Sequence, residues 1–134
     1  MQSPALSIAQ YLAAQGFGVF AAESGWSIHV ASEPEKPDTC ITVYDTGGEE
    51  PDTDQLDRRP TFQVRVRGPN YQDAYAKISS ILDFLMHAPA VTLNGTRYAA
   101  FAPTSDVASI GKDDNNRNVL TVNFRVPNAE GAST

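Results

Sequence analysis

The chain has 134 residues, a formal net charge of −6 and 41% hydrophobic residues. This size predicts one domain with a core large enough to be stable without disulfides or structural metals. Because Cys40 is the only cysteine, no intrachain disulfide can form. No apolar run approaches the ~18 residues of a membrane helix, and the first residues lack the basic start of a signal peptide. The acidic balance disfavours sequence-independent nucleic-acid binding, which depends on neutralising phosphates.

The charge is unevenly distributed along the chain. Residues 1–60 hold ten acids and three bases, net −7, whereas residues 61–134 hold six acids and seven bases, net +1. This asymmetry suits a protein that meets copies of itself, or another protein, acidic edge to basic edge. The alternative is that the acidic segment 49–57 is simply a solvated loop.

The first element is predicted to be a helix that begins at Ser3 and Pro4, because serine caps helices and proline fits their first turn. Apolar residues then recur at helical spacing as far as Gly16. We expect the residues that follow, Phe17, Val19 and Phe20, to lead into the core. Short strands are predicted over 26–30 and 40–44, with a proline-containing loop between them.

The segment 45–59 is predicted to be irregular, and fifteen structureless residues in a compact domain are usually functional or mobile. It contains Asp52, Asp54 and Asp57, carboxylates that raise the possibility of a calcium loop. Their spacing does not match the EF-hand pattern, and the glycine and the closing glutamate of that loop are missing. The sequence therefore does not favour a metal site here.

The segment 59–68 is the centre of the predicted fold. Its apolar and polar residues alternate without interruption, as in a strand with one buried face: Phe62, Val64 and Val66 against Gln63, Arg65 and Arg67. A helix over 71–87 follows, with an apolar stripe at spacings of three and four: Ala74, Tyr75, Ile78, Ile81, Leu82 and Leu85. We expect this stripe to cover a sheet that contains strands 61–67 and 118–126.

The last part of the chain is predicted to be mostly β. Residues 91–93 and 96–101 form a hairpin around Asn94 and Gly95, a loop occupies 103–118, and a strand covers 119–126. The order α-β-β-β-α-β-β-β predicts an α+β fold, a mainly antiparallel sheet with the two helices packed on one side. We expect a single domain over residues 1–127 and a disordered C-terminal tail over 128–134.

Three segments together resemble a known family. They are the strand 59–68, the helix that follows it, and the loop Ile-Gly-Lys-Asp-Asp-Asn-Asn-Arg at 110–117 before the last strand. They are similar to the small minor capsid proteins of tailed bacteriophages, whose members look like tail terminators. The resemblance covers about residues 3–127. Loops of this kind in the family often carry glycine where this chain has Asn116.

The resemblance implies a structural role without enzymatic activity and without a cofactor. Tail terminators assemble as a hexameric ring on the finished tail tube, stop its polymerisation and present the surface that joins the head. The implied partners are further copies of the chain, the tail tube protein and a head-completion or connector protein, with DNA only passing through the ring and no membrane. The implied location is the tail or neck of the virion, after assembly in the cytoplasm of the bacterial host.

Charged residues are the candidate interaction residues: Arg65, Arg67, Arg125, Asp52, Asp54, Asp57, Asp113, Asp114 and Arg117. If the central and last strands are neighbours, Arg65, Arg67 and Arg125 share one exposed patch. Such a patch is either neutralised by solvent, salt and acids on adjacent strands, or it lies at a subunit boundary or lines the ring. An arginine fork suits carboxylates and phosphates in particular.

Other functions remain open at this point. The nearest alternative is another neck protein, a head-completion or connector subunit. A small metal-dependent hydrolase would use Asp52, Asp54, Asp113 and His29, but no nucleophile–base pair, metal-ligand spacing or phosphate-binding glycine loop supports it. A monomeric ligand-binding domain is the third alternative.

Overall fold

The computed structural model of the chain describes residues 2–50 and 57–130. The helices in these ranges are α1 (Pro4–Ala14) and α2 (Tyr71–Met86). The strands are β1 (Val19–Phe20), β2 (Ser27–Val30), β3 (Cys40–Gly48), β4 (Asp57–Arg58), β5 (Pro60–Gly68), β6 (Val91–Leu93), β7 (Thr96–Tyr98), β8 (Ala102–Pro103), β9 (Ala108–Lys112), β10 (Asn118–Arg125) and β11 (Ala129–Glu130).

The main sheet has the order β1-β2-β3-β5-β10-β8, and β9 also pairs with β10. The centre is antiparallel, with β5 between β3 and β10. The pairs β1–β2 and β2–β3 are parallel. Parallel neighbours need a connection that crosses back over the sheet, so the segment 31–39 must return across one face from the end of β2 to the start of β3. The predicted α+β class and the mainly antiparallel sheet are confirmed.

One face of this sheet is apolar across its central strands. Val64 of β5 lies opposite Val43 of β3 and Val122 of β10, and the neighbouring rows repeat this pattern. Buried residues of both helices pack against this face: Ala5, Ile8, Ala9 and Leu12 of α1, and Ala74, Ile78, Ile81 and Leu85 of α2. Both helices therefore lie on one side of the sheet, as predicted.

The start of α1 is fixed by two side chains. The hydroxyl of Ser3 accepts a hydrogen bond from the backbone N–H of Leu6 at 3.3 Å, which confirms the predicted cap. Asp45, from the distant strand β3, accepts a second bond from the N–H of Ala5 at 2.9 Å. A carboxylate also complements the positive end of the helix dipole, so this contact ties α1 to the sheet.

The apolar stripe of α2 is narrower than the sequence predicts. Leu82 is half-buried and Tyr75 is exposed, whereas Ile78 and Leu85 are fully buried. The prediction was wrong for Tyr75 because a helix on the flank of a sheet turns only about 100° of its surface to the core.

A second, smaller sheet has the order β4-β11-β7-β6. The β6–β7 hairpin is confirmed, with φ of 50° at Asn94 and 82° at Gly95, the left-handed geometry of a tight hairpin turn. The expectation of a disordered tail from residue 128 is wrong at its start. Ala129 is fully buried in β11, between Tyr98 of β7 and Arg58 of β4, and residues 131–134 lie outside the described residues.

The two long loops of the prediction are partly strands. Within 45–59, β3 continues to Gly48 opposite Pro60, and β4 begins at residue 57. Within 103–118, β8 and β9 pair with β10. Backbone groups along β5 and β10 need partners, and these segments supply them without an alternating side-chain pattern, since all five residues of β9 are exposed.

Candidate interaction surfaces

The face of the main sheet opposite the helices is polar. Gln63 of β5 donates a hydrogen bond to the side-chain oxygen of Asn123 on β10 at 3.1 Å. Arg65 and Arg67 follow on the same face of β5, and Arg125 lies at the far end of β10 opposite Thr61. β5 and β10 are therefore neighbours, as a shared arginine patch requires.

The three arginines nevertheless do not form one exposed patch, and that expectation is wrong. Arg67 is only 3% exposed and Arg65 is half-buried, whereas Arg125 is exposed. In this register Arg125 lies four residues from the row of Arg65 and six from the row of Arg67. At about 3.3 Å per residue these separations are about 13 and 20 Å.

The crossover segment 31–39 covers the Arg67 end of the polar face. Arg67 donates hydrogen bonds to the backbone oxygen of Pro37 at 2.7 Å and to that of Asp38 at 3.4 Å. Glu33, on the same segment, forms ion pairs with both Arg65 and Arg67. The charges of Arg65 and Arg67 are therefore neutralised within the chain, so the repulsion between them requires no outside partner.

Arg117 joins the turn before β10 to the same crossover. It is nearly buried, and its Nε donates to Asp113 Oδ2 at 2.9 Å. Its Nη1 lies 3.3 Å from Asp38 Oδ1 and also donates to the backbone oxygen of Glu35. Arg117 and Arg67 together hold the segment 31–39 against the sheet.

Asp113 organises the turn itself, because its Oδ1 accepts bonds from the N–H groups of Asn115 and Arg117 at 3.0 and 2.9 Å. Desolvation acts to raise the pKa of this carboxyl, but the hydrogen bonds and the charge of Arg117 outweigh it and hold the pKa below its ordinary value. Asn116 has a φ of 61°. Glycine and asparagine tolerate this conformation best, so Asn116 suits the left-handed position of this turn.

The remaining candidate interaction residues are either exposed or lie outside the described residues. Asp114 is exposed at the tip of the turn. Asp57 begins β4, and its side chain, like Asp52 and Asp54 entirely, is outside the described residues. Arg125 lines a groove with Glu49, Arg59 and Thr104. Among the candidate charges that the structure describes, Arg125 and Asp114 are the accessible ones.

Of the residues of the hydrolase alternative, the structure describes His29 and Asp113, whereas Asp52 and Asp54 lie outside the described residues. His29 Nε2 hydrogen-bonds the hydroxyl of Ser27, a nucleophile–base contact that the sequence did not predict. Ser27 is fully buried, however, so a substrate cannot reach its hydroxyl in this arrangement. Desolvation, together with the charge of Arg67, lowers the pKa of His29. Over residues 2–50 and 57–130, no three His, Cys, Asp or Glu side chains are grouped to hold a metal ion.

Large exposed apolar side chains lie at the two lateral edges of the molecule. At one edge, β1 exposes Val19 (65%) and Phe20 (42%), so the expectation that they enter the core is wrong. We call these two residues the β1 edge. The opposite edge of the sheet carries Ile110 on β9, which is 55% exposed.

The flank of α2 extends this second apolar edge. Tyr71, Tyr75 and Met86 are exposed on it and Leu82 is half-buried. Leu82 and Met86 line a groove with residues 103–106, the connection from β8 to β9, so this flank faces the β9 side. We call these four residues and Ile110 the α2/β9 edge. Its helical part was detectable in the sequence as a second stripe, at 71, 75, 82 and 86, beside the core stripe.

The chain is similar in fold to a chain of a solved structure described as "Virion of native gene transfer agent (GTA) particle". The TM-score is 0.69 and the sequence identity 19%, over 95% of this chain and 96% of that chain. At this identity the likeness shows a shared fold. No curated protein matches the chain, and neither helix of the described ranges has the length and hydropathy to cross a membrane.

The family follows from the sequence model of the bacteriophage tail terminator protein, which matches residues 11–127. By class the chain is a structural, tail-associated phage protein. It belongs to the bacteriophage tail terminator family, as the resemblance at 59–68, in α2 and at 110–117 implied.

Proposed function

We propose that the chain is the ring-forming subunit that caps a phage tail tube, stops tube polymerisation and provides the surface that joins the head. Membership of the tail terminator family over residues 11–127 is the observation that carries this proposal. The ring is a hexamer, located at the tail or neck of the virion after assembly in the host cytoplasm. The tail tube protein and a head-completion or connector protein are its partners.

The architecture supports a ring in particular. A ring needs heterologous contacts, in which one surface of a copy meets a different surface of the next. The main sheet is open at both sides within the described residues, and its lateral edges differ in sequence and shape. The likeness to a chain of a virion particle agrees with a structural role.

The open part of the polar face is a second contact surface in this proposal. Arg125 is exposed there, beside Glu49 and Arg59 at the base of the acidic segment. It meets either carboxylates of a neighbouring copy or the phosphates of passing DNA. Arg125→Gln should impair tail completion in both cases while leaving the fold intact, and Arg125→Lys, which keeps the charge, should restore part of it.

Tube length is the most direct test of the proposed activity. The tail tube protein is polymerised alone, with this chain present from the start, and with the chain added only after polymerisation. Early addition should shorten the tubes, and late addition should occupy tube ends without changing their length. Tubes of equal length in all three reactions would contradict the proposal. Binding of the chain to isolated head particles in a parallel experiment would then favour the connector alternative.

A further inference from the structure

We propose that neighbouring copies join by strand addition, with β1 of one copy pairing antiparallel with β9 of the next. In this contact Val19 meets Ile110, and Phe20 packs against the α2 flank. The inference rests on the proposed ring and assigns the two surfaces that build it.

The distribution of apolar side chains is the first argument. The large hydrophobic residues exposed in the described ranges number six, and all of them lie at the β1 edge or the α2/β9 edge: Val19, Phe20, Tyr71, Tyr75, Met86 and Ile110. Apolar groups that cluster at two opposite ends of one sheet match the two unlike halves of a heterologous interface. A second copy is therefore the occupant that satisfies both edges at once.

Strand direction is the second argument. β1, β2 and β3 run the same way, β5 runs against them, β10 runs against β5, and β9 runs against β10. β1 and β9 therefore point in opposite directions at the two sides of the sheet. In a ring whose copies share one orientation, β1 of one copy and β9 of the next are antiparallel, which is the geometry of a two-way hydrogen-bond ladder.

The register across the sheet is the third argument. Val19 lies in one row with Ser27, Cys40, Arg67 and Val119. The pairing of β9 with β10 is irregular at Val119, where Ile110 and Gly111 face one residue. Val19 and Ile110 therefore lie at opposite ends of the same row of paired residues across the sheet. When neighbouring copies in a ring lie at the same height, Val19 of one copy meets Ile110 of the next.

The next row places Phe20 on the helix side of the sheet. Phe20 is level with Ile28, Ile41, Val66 and Leu120, all of them buried under the helices. Paired residues share a face of the sheet, so the side chain of Phe20 projects on the α2 side. In the next copy the surface on that side is the α2 flank, where the rings of Tyr71 and Tyr75 stack with centroids 6.2 Å apart.

Two variants that each block one edge test the interface. Phe20→Asp disables the β1 edge and Tyr75→Asp disables the α2/β9 edge, and both residues are exposed, so the fold should tolerate the changes. Each variant alone should associate roughly 30-fold more weakly than the wild type. Mixed together, they should form a 1:1 dimer and nothing larger, because each supplies the edge that the other lacks. Ser24→Asp and Ala76→Asp, exposed neighbours outside the two edges, are the matched controls and should form rings.

The outcomes distinguish this inference from the function on which it rests. Self-association is measured by native mass spectrometry, alone and with the tail tube protein. A wild type that never forms an oligomer would overturn both the ring and the edges. A wild type that forms rings, with both edge variants forming them equally well, would overturn the edges alone. Dimers of Phe20→Asp or of Tyr75→Asp on its own would likewise overturn the heterologous pairing.

A cross-link provides an independent measurement that does not depend on weakened binding. Val19→Cys with Ile110→Cys in one chain, treated with a short bis-maleimide, should give a ladder of covalent oligomers. Neither single variant should give a ladder, and Cys40 should not interfere because it is buried. Dimers from Val19→Cys alone, or no products from the double variant under conditions where the wild type forms rings, would overturn the assigned register.

Discussion

Arg67 Nη2 lies 2.7 Å from the backbone oxygen of Pro37, a contact that holds the crossover segment 31–39 against the polar face of the sheet. The parallel order of β2 and β3 requires this segment to cross a face of the sheet, and the side opposite the helices is the open one. A charged residue on that face is thereby buried. The same guanidinium that the alternating pattern of β5 assigns to solvent becomes a structural anchor.

This contact predicts a large stability difference between two arginines of one sheet face. Arg67→Met should lower the free energy of unfolding by about 2–4 kcal/mol, because it removes hydrogen bonds and an ion pair that are shielded from water. Arg125→Met, at an exposed position of the same face, should stay within about 0.5 kcal/mol of the wild type. Urea unfolding measures both, and equal losses would contradict the anchoring role.

Asp113 predicts a specific dependence of stability on pH. Its pKa in the folded protein is below its ordinary value, so its contribution is present above the unfolded pKa of about 3.9 and is lost as pH falls through the folded value. Asp113→Asn should therefore be less stable than the wild type near neutral pH, and the difference should shrink under acid conditions. Urea midpoints across this range test it, and a constant difference would count against the assignment.

Asn116 predicts opposite outcomes for two small substitutions. Its φ of 61° is left-handed, so Asn116→Gly should preserve or slightly raise the melting temperature. Asn116→Ala should cost about 1 kcal/mol, since a Cβ without a local polar group is disfavoured there. Asp114→Gly is the control, because this position gains nothing from glycine in the folded state and should be slightly destabilised. A stabilising Asn116→Ala would refute the turn geometry.

Leu85 and Met86 are adjacent in α2, but Leu85 is fully buried whereas Met86 is 42% exposed. Leu85→Ala should lower the free energy of unfolding by about 2–5 kcal/mol, because it leaves a cavity between α2 and the sheet. Met86→Ala should change it by about 0.5 kcal/mol or less. Similar losses for the two variants in chemical denaturation would place the core face of the helix elsewhere.

The sequence predicted those elements whose side chains alternate or recur at helical spacing. β5, β10, both helices and the Asn94–Gly95 hairpin have such patterns, so their pairing and packing were accessible. β9 and β11 had no such signal, because they are held by backbone pairing at positions where side-chain periodicity is weak or the strand is very short.

The candidate surfaces show the same division. Arg65, Arg67 and Arg125 were placed on the correct face, since alternation fixes the side of a strand. Their burial was not predictable, because it depends on the crossover segment and on contacts such as Glu33 with Arg67, far apart in sequence. Val19 and Phe20 were assigned to the core from hydrophobicity alone, but they lie on β1 at the side of the sheet and are exposed there.

If this chain forms a ring at the end of a tail tube, as we propose, the number of copies at tube ends is fixed by that ring. Electron cryomicroscopy of tubes assembled with the chain should show a six-fold ring at one end only. Native mass spectrometry of the released ring should give six times the 14.5 kDa of one chain. Tube ends without added density, together with a chain that stays monomeric in the presence of tubes, would contradict the proposed ring.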